Sequence, residues 1–277
     1  MVQLQVLEVR MKGEVRSGRV PARALGLLAA VCVLAVASAG IARGERSQKG
    51  ELIVSLKGGL SPLALPRDRP APIAVHLEGR LETASRRPLP RVTRIELGLP
   101  SRGVVSTKGL PTCPPRLLRN AKPPEALAAC RSALIGKGTL AASVVLPNQG
   151  PFPVRAGVLA FNARIGRGRA VLLHAYSADP PTVAVLPLQL RKGNGRFGLS
   201  LVGDLPPALG PWPRLRRFDV TFFRRYRYRG HNRSYLSASC PLPRRLTAGF
   251  FSFAKLSFGI ADGHRISIGI ARGCRAR

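Results

Sequence analysis

Carboxylates are few in this chain. Only 13 Asp and Glu stand against 45 Lys and Arg, a formal charge of +32 with an isoelectric point near 11.8. Glycoside hydrolysis needs two carboxylates about 5–10 Å apart, and here most acids sit beside Arg on strand faces or in turns. A G-x-S-x-G nucleophile elbow is absent, and so is a glycine-rich phosphate loop. Gly193–Gly195 and Gly166–Arg169 read as hairpin turns, and Gly136-Lys137-Gly138 reads as a helix C-cap. No Cys-x-x-Cys occurs and no histidine stands at ligand spacing, which argues against zinc. Of the four histidines, His76 reads as solvated on a polar strand face and His174 as a core or edge residue, while His231 and His264 fall at turns. The residues therefore assign no catalytic, metal or cofactor-binding site, and the chain reads as a non-enzyme. The competing reading is a secreted hydrolase that uses scattered carboxylates or His174.

What is abundant is arginine, glycine and proline. Apolar residues make up 45%, enough to bury a core and to exclude global disorder. The 29 Gly and 25 Pro follow no repeat period, which suits many short strands joined by turns. The positive charge implies affinity for anionic polymers: nucleic acid, acidic cell-wall polymers or anionic headgroups. Five basic residues precede residue 24, and then ALGLLAAVCVLAVASAGIA, residues 24–42, carries no charge. With Ala37-Ser38-Ala39 as cleavage site, residues 1–39 read as a secretory signal peptide. The alternative is an uncleaved membrane anchor over 24–42. Either one places the body in the cell envelope or outside the cell. Cleavage removes five basic and two acidic residues, three units of the +32, and leaves +29. It also removes Cys32, so four cysteines remain: Cys113, Cys130, Cys240 and Cys274. An even number in an oxidising compartment implies two disulfides, with three pairings allowed.

Residues 40–50 are polar and read as a linker. Alternation then marks strands. Ile73, Val75, Leu77, Gly79 and Leu81 share one face, opposite His76, Glu78 and Arg80. One helix is expected over 124–135, after Pro123-Pro124 and before Gly136. The last hairpin carries Asp262-Gly263. A two-residue turn would set its apolar rows on opposite faces. A three-residue loop, Ala261-Asp262-Gly263, pairs Phe258 with Ile266, Leu256 with Ile268 and Ala254 with Ile270, so the rows coincide. Two stretches also echo one another. VHLEGRL (75–81) matches LSLVGDL (199–205), and RVTRIEL (91–97) matches RLRRFDV (214–220); each set is followed by a Cys-Pro. The expected fold is mostly β, with Ig-like or related sandwiches in two similar halves, 51–150 and 151–277. If each half closes its own bridge, Cys113 joins Cys130 and Cys240 joins Cys274.

The stretches LPRDRPAPIAVHLEG, GLPTCPP, AACRSALIGKGTL and SYLSASCP resemble a family of secreted proteins from high-GC bacteria. The resemblance implies export, paired cysteines and a β-rich body, and it brings no activity with it. The most suggestive surface is RRFDVTFFRRYRYRGHNR, residues 216–233. Phe223, Arg225, Arg227 and Arg229 are expected on one face, and Phe222, Arg224, Tyr226 and Tyr228 on the other. Arg and aromatics on a sheet can bind polyanions by charge and stacking; an edge strand protected by charge has the same pattern. Arg224, Arg225, Arg227 and Arg229 are the candidate contacts for anionic envelope polymers. A structural domain tethered by residues 24–42, its charge merely compositional, is the alternative.

Overall fold

Leucine, valine and isoleucine alternate with polar residues from residue 52 onward, and the chain answers with strands. The computed structural model describes residues 45–277 except 86, 194, 207 and 208. The expected export segment lies outside these residues, and no described helix is long and apolar enough to cross a membrane. Strands take 61% of the structure and helices 7%, which makes it mostly β with one short α-helix. The first half contains β1 (Glu45–Lys49), β2 (Leu52–Ser61), β3 (Ala64–Leu65), β4 (Ala71–Pro72), β5 (Ala74–Thr83), β6 (Val92–Leu99) and β7 (Gly103–Val105). Helix α1 (Pro123–Cys130) and β8 (Leu134–Val144) complete it, and β9 (Phe152–Ile165) opens the second half. The second half contains β10 (Gly168–Ala178), β11 (Pro181–Lys192), β12 (Leu199–Asp204), β13 (Pro213–Phe222), β14 (Arg225–Tyr228), β15 (His231–Ser234), β16 (Leu236–Ala238), β17 (Ala248–Ile260) and β18 (Arg265–Ala276).

Thirteen strands form one sheet in the order β1-β2-β5-β13-β8-β9-β10-β11-β12-β6-β17-β18-β3. The expectation of Ig-like sandwiches gives way here, because the two halves share this single sheet, curled into a half-barrel. The echo explains the sharing. VHLEGRL lies on β5 and RVTRIEL on β6, yet these two do not pair. β5 pairs with β13, setting Leu77 opposite Val220 and Gly79 opposite Phe218. β12 pairs with β6 in the equivalent register, setting Leu201 opposite Leu97 and Gly203 opposite Ile95. The next strands repeat the relation: Phe218 faces Leu140 on β8, and Ile95 faces Phe258 on β17. Each half thus lends one strand to the other, and neither completes its hydrogen bonds alone. The rims of the curled sheet meet through side chains. The Glu45 carboxylate accepts from the Ala271 N–H at 3.1 Å, Lys49 Nζ donates to the Arg265 carbonyl at 3.0 Å, and Arg272 donates to the Gly58 carbonyl.

The inner rows meet inside the curl. Leu56, Leu77, Leu97, Leu201, Val220 and Phe258 are buried there, while Arg80, Arg94 and Arg217 face outward into ion pairs with Glu82, Asp204 and Glu78. The small sheet β4-β16-β7 covers one part of this interior, and Val105, Ala238 and Tyr235 join the same buried cluster. β9 and β10 are buried on both faces, since Cys113, Leu118, Ala126 and Cys130 pack with Phe161 and Leu172 on the outside of the curl. The bridges join Cys113 to Cys130 and Cys240 to Cys274. The first fixes α1 to its preceding loop, and the second fixes the chain leaving β16 to the end of β18. Two disulfides fit an oxidising compartment outside the cytoplasm. In the last hairpin Phe258 faces Ile266, Leu256 faces Ile268 and Ala254 faces Ile270, with Gly263 at φ +86°, the register that makes the apolar rows coincide.

Three local expectations are corrected. Residues 45–49 of the expected linker form β1, whose polar side chains suit an edge strand held by backbone pairing to β2. The helix ends at Cys130 and a short 3-10 turn follows, so 134–135 already belong to β8. Gly136 and Gly138 are therefore strand residues opposite Phe222 and Val220, not a helix cap. The alternation expected through residues 222–229 is interrupted, because β13 ends at Phe222 and β14 begins only at Arg225.

Tyr235, beneath the small sheet, yields a pH prediction. Burial pushes its phenol well above the ordinary tyrosine range, only partly offset by the charge of Arg169. In the unfolded chain a tyrosine ionises near pH ~10. The folded state therefore holds this proton more tightly, and its stabilising contribution is present below about pH 10 and lost as pH rises further. Denaturation midpoints are expected to fall between about pH 9 and 11, and Tyr235→Phe is expected to flatten that fall.

Candidate functional site

The arginine-rich stretch becomes a separate two-stranded ribbon, β14-β15. Arg225 faces Ser234, Tyr226 faces Arg233, Arg227 faces Asn232 and Tyr228 faces His231. A two-residue turn closes it, with Arg229 at φ +51° and Gly230 at φ +78°, the positive dihedrals that a tight hairpin requires. The tyrosines anchor the ribbon. Tyr226 donates its hydroxyl proton to the Lys108 carbonyl at 3.0 Å. The Tyr228 ring lies against Gly109, where a Cβ would come within 2.1 Å of it. Only glycine fits there, and its φ of +78° demands the same.

The candidate residues divide into two kinds. Arg225 and Arg227 alternate with the tyrosines and are exposed. Arg229 sits on the turn rather than in that row, its guanidinium carbon 5.5 Å from the centre of the Tyr228 ring. Arg224 is half-buried where the chain leaves β13, and its Nη2 donates to the Ser132 carbonyl at 3.2 Å. Arg233, which sequence reasoning did not single out, is exposed on β15; only cross-strand pairing reveals that it belongs to the same ribbon. None of these five arginines forms an ion pair among the described residues. The carboxylates are engaged elsewhere: Glu96 with Arg265, Asp204 with Arg94, Glu78 with Arg217 and Asp219 with His76.

The histidines separate by environment. His76 is not simply solvated; its Nε2 stands 2.9 Å from Asp219 Oδ1 across the β5–β13 pair. His174 is buried under α1's layer and donates from Nε2 to the Ala121 carbonyl at 2.8 Å, which ties the loop before the helix to β10. His264 lies on the last turn, where Asp262 accepts from its backbone N–H at 2.9 Å. These bonds hold the Asp262 carboxyl below its usual range, the backbone bond contributing most. His231 is exposed at the start of β15. No group of three His, Cys, Asp or Glu stands close enough to hold a metal ion among the described residues. Comparison with protein-family models, with curated proteins and with solved structures finds no match, so the site is read from its own chemistry.

Proposed function

We propose that this is an exported, non-catalytic protein of the cell envelope or extracellular space that adheres electrostatically to anionic polymer, with the β14-β15 ribbon as the contact. The observation that carries the reading is a ribbon of arginines with no carboxylate partner among the described residues. The tyrosines hold the backbone, which leaves Arg225, Arg227, Arg229 and Arg233 free to meet phosphate or carboxylate oxygens through their planar forks. The charge of the body beyond residue 39, +29, adds long-range attraction. Residues 24–42 deliver the body across the membrane or tether it there.

Retention on a heparin column is expected to fall log-linearly as salt rises. Arg225, Arg227 and Arg229 together changed to Ser should lower the slope of log affinity against log salt by roughly one unit per arginine lost. Arg224→Ser alone is expected to do less for binding, because that guanidinium is already bonded to Ser132. Unchanged elution of the triple variant would move the contact off the ribbon, and no retention at low salt would end the reading altogether.

A further inference from the structure

Protein interiors are packed as tightly as organic crystals and keep few voids larger than a water molecule. The curled sheet departs from this. A cavity of about 190 Å³ lies among its inner rows, lined by Leu, Ile, Val, Ala, Pro and Phe alone. A second space of about 60 Å³, beneath the small sheet, shares Leu77, Leu97, Leu201 and Phe222 with it. With no polar group in its lining, the larger cavity offers water nothing to bond, so such a site stays dry or takes an apolar guest. Small residues thin the wall, with Ala175 and Ala184 side by side on β10 and β11.

Leu205, Pro206 and Leu209 line this cavity and also line an adjoining one of about 220 Å³, whose lining includes Arg91 and Pro213. Arg214 follows Pro213 and donates to the Pro211 carbonyl. Arg91 and Arg214 are equivalent positions of the sequence echo, and the strand exchange sets Arg91 and Pro213, the residue before Arg214, in the lining of one cavity. Their charges repel: the Arg214 guanidinium is held below its usual range, by burial first and by Arg91 second. Both are half-buried, and neither forms an ion pair among the described residues. A half-buried cation without a counter-ion, such as Arg91 in the wall of this cavity, favours an anion beside it.

We infer that the curled sheet binds a single-chain fatty carboxylate, its apolar tail in the cavity among Leu56, Leu140, Leu173, Leu186 and Phe258, and its carboxylate against Arg91 in the adjoining cavity, past Leu205, Pro206 and Leu209. The cavity sets the size of the guest. A cavity of ~150 Å³ accommodates benzene, so this one suits a single chain of about eight carbons rather than the paired chains of a phospholipid. The site is independent of the arginine ribbon.

The single tryptophan, Trp212, adjoins Gly210 in the wall of the charged cavity and serves as the reporter. The test titrates the full-length body with straight-chain carboxylates from hexanoate to dodecanoate and follows tryptophan fluorescence and heat of binding. Each methylene that enters the cavity is expected to tighten binding about fourfold, until the chain outgrows the space. Arg91→Gln is expected to weaken octanoate binding about tenfold and to leave octanol binding unchanged. Ala184→Leu, which fills the cavity, should abolish the dependence on chain length while heparin retention persists. Should that variant fail to fold, Arg91→Gln together with the chain-length series still decides the matter. Binding with no chain-length dependence, equal affinity for octanoate and octanol, or an Arg91→Gln variant that binds octanoate normally would each overturn the proposal. Loss of heparin binding by the ribbon variants, with octanoate binding intact, would separate the two sites.

Discussion

Reducing both disulfides is expected to remove about 7 kcal/mol of folding stability. The bridges close loops of 17 and 34 residues, and loop-closure entropy assigns them about 3 and about 4 kcal/mol. Domains of ordinary stability have only about 5–15 kcal/mol in all, so the reduced chain stands near its unfolding threshold. The two bridges have separable effects. Cys240–Cys274 holds the end of β18, a rim strand, and closes the longer loop, so Cys240→Ser with Cys274→Ser is expected to cost more than Cys113→Ser with Cys130→Ser. Guanidinium midpoints of the oxidised, reduced and two paired-serine proteins check this. Coincident midpoints for the oxidised and reduced forms would show that the bridges do not hold the sheet.

Gly138→Ala is expected to be the most damaging single methyl in the protein. A Cβ at Gly138 would lie 2.0 Å from the Asp219 carbonyl oxygen and 2.7 Å from the Val220 Cα. Both atoms belong to the backbone of β13, which is paired on its other side to β5 and cannot retreat as a flexible side chain could. Overpacking of this kind costs about 3 kcal/mol or more, a fall of roughly 6–12 °C in Tm for a protein of this size. Gly157 is the control. It lies one strand away, opposite Thr139, and a Cβ there meets nothing within 4 Å. Gly157→Ala should be neutral or stabilising by up to about 1 kcal/mol, since it removes only backbone freedom from the unfolded chain. Equal melting temperatures for the two variants would mean that β8 and β13 do not approach as closely as the register requires.

These glycines show where local reading stops. Gly136-Lys137-Gly138 after an apolar helical pattern resembles a C-cap, because glycine both ends helices and permits close backbone approach. Only the strand across the gap, more than eighty residues further along the chain, distinguishes the two uses. The ribbon divides in the same way. Its alternating Arg and Tyr are visible in the sequence, and so is their separation onto two faces. The role of the tyrosines as anchors is not, since Tyr226 bonds to a carbonyl 118 residues away. Distance also hides the fixing of Arg224 by Ser132, whose carbonyl lies 92 residues away, whereas Arg233 faces Tyr226 across a local hairpin.

By itself the sequence determined what short-range physics determines. Period-two alternation marked the strands, because successive side chains on a strand must face opposite ways. The register of the last hairpin followed from matching its apolar rows, because a one-residue slip would reverse every side chain. The echo of 75–81 with 199–205 and of 91–97 with 214–220 marked equivalent strands. Tertiary structure alone decided which strands became neighbours. Alternation says that Leu77 and Leu97 face a core, but every inward row offers similar apolar surface to every other, and the hydrophobic effect is non-directional. The exchange of β6 and β13 between the halves, the single curled sheet in place of two sandwiches, and the apolar space inside it all depend on pairings between distant segments. They follow from how thirteen strands share one set of backbone hydrogen bonds, which no window of the sequence contains.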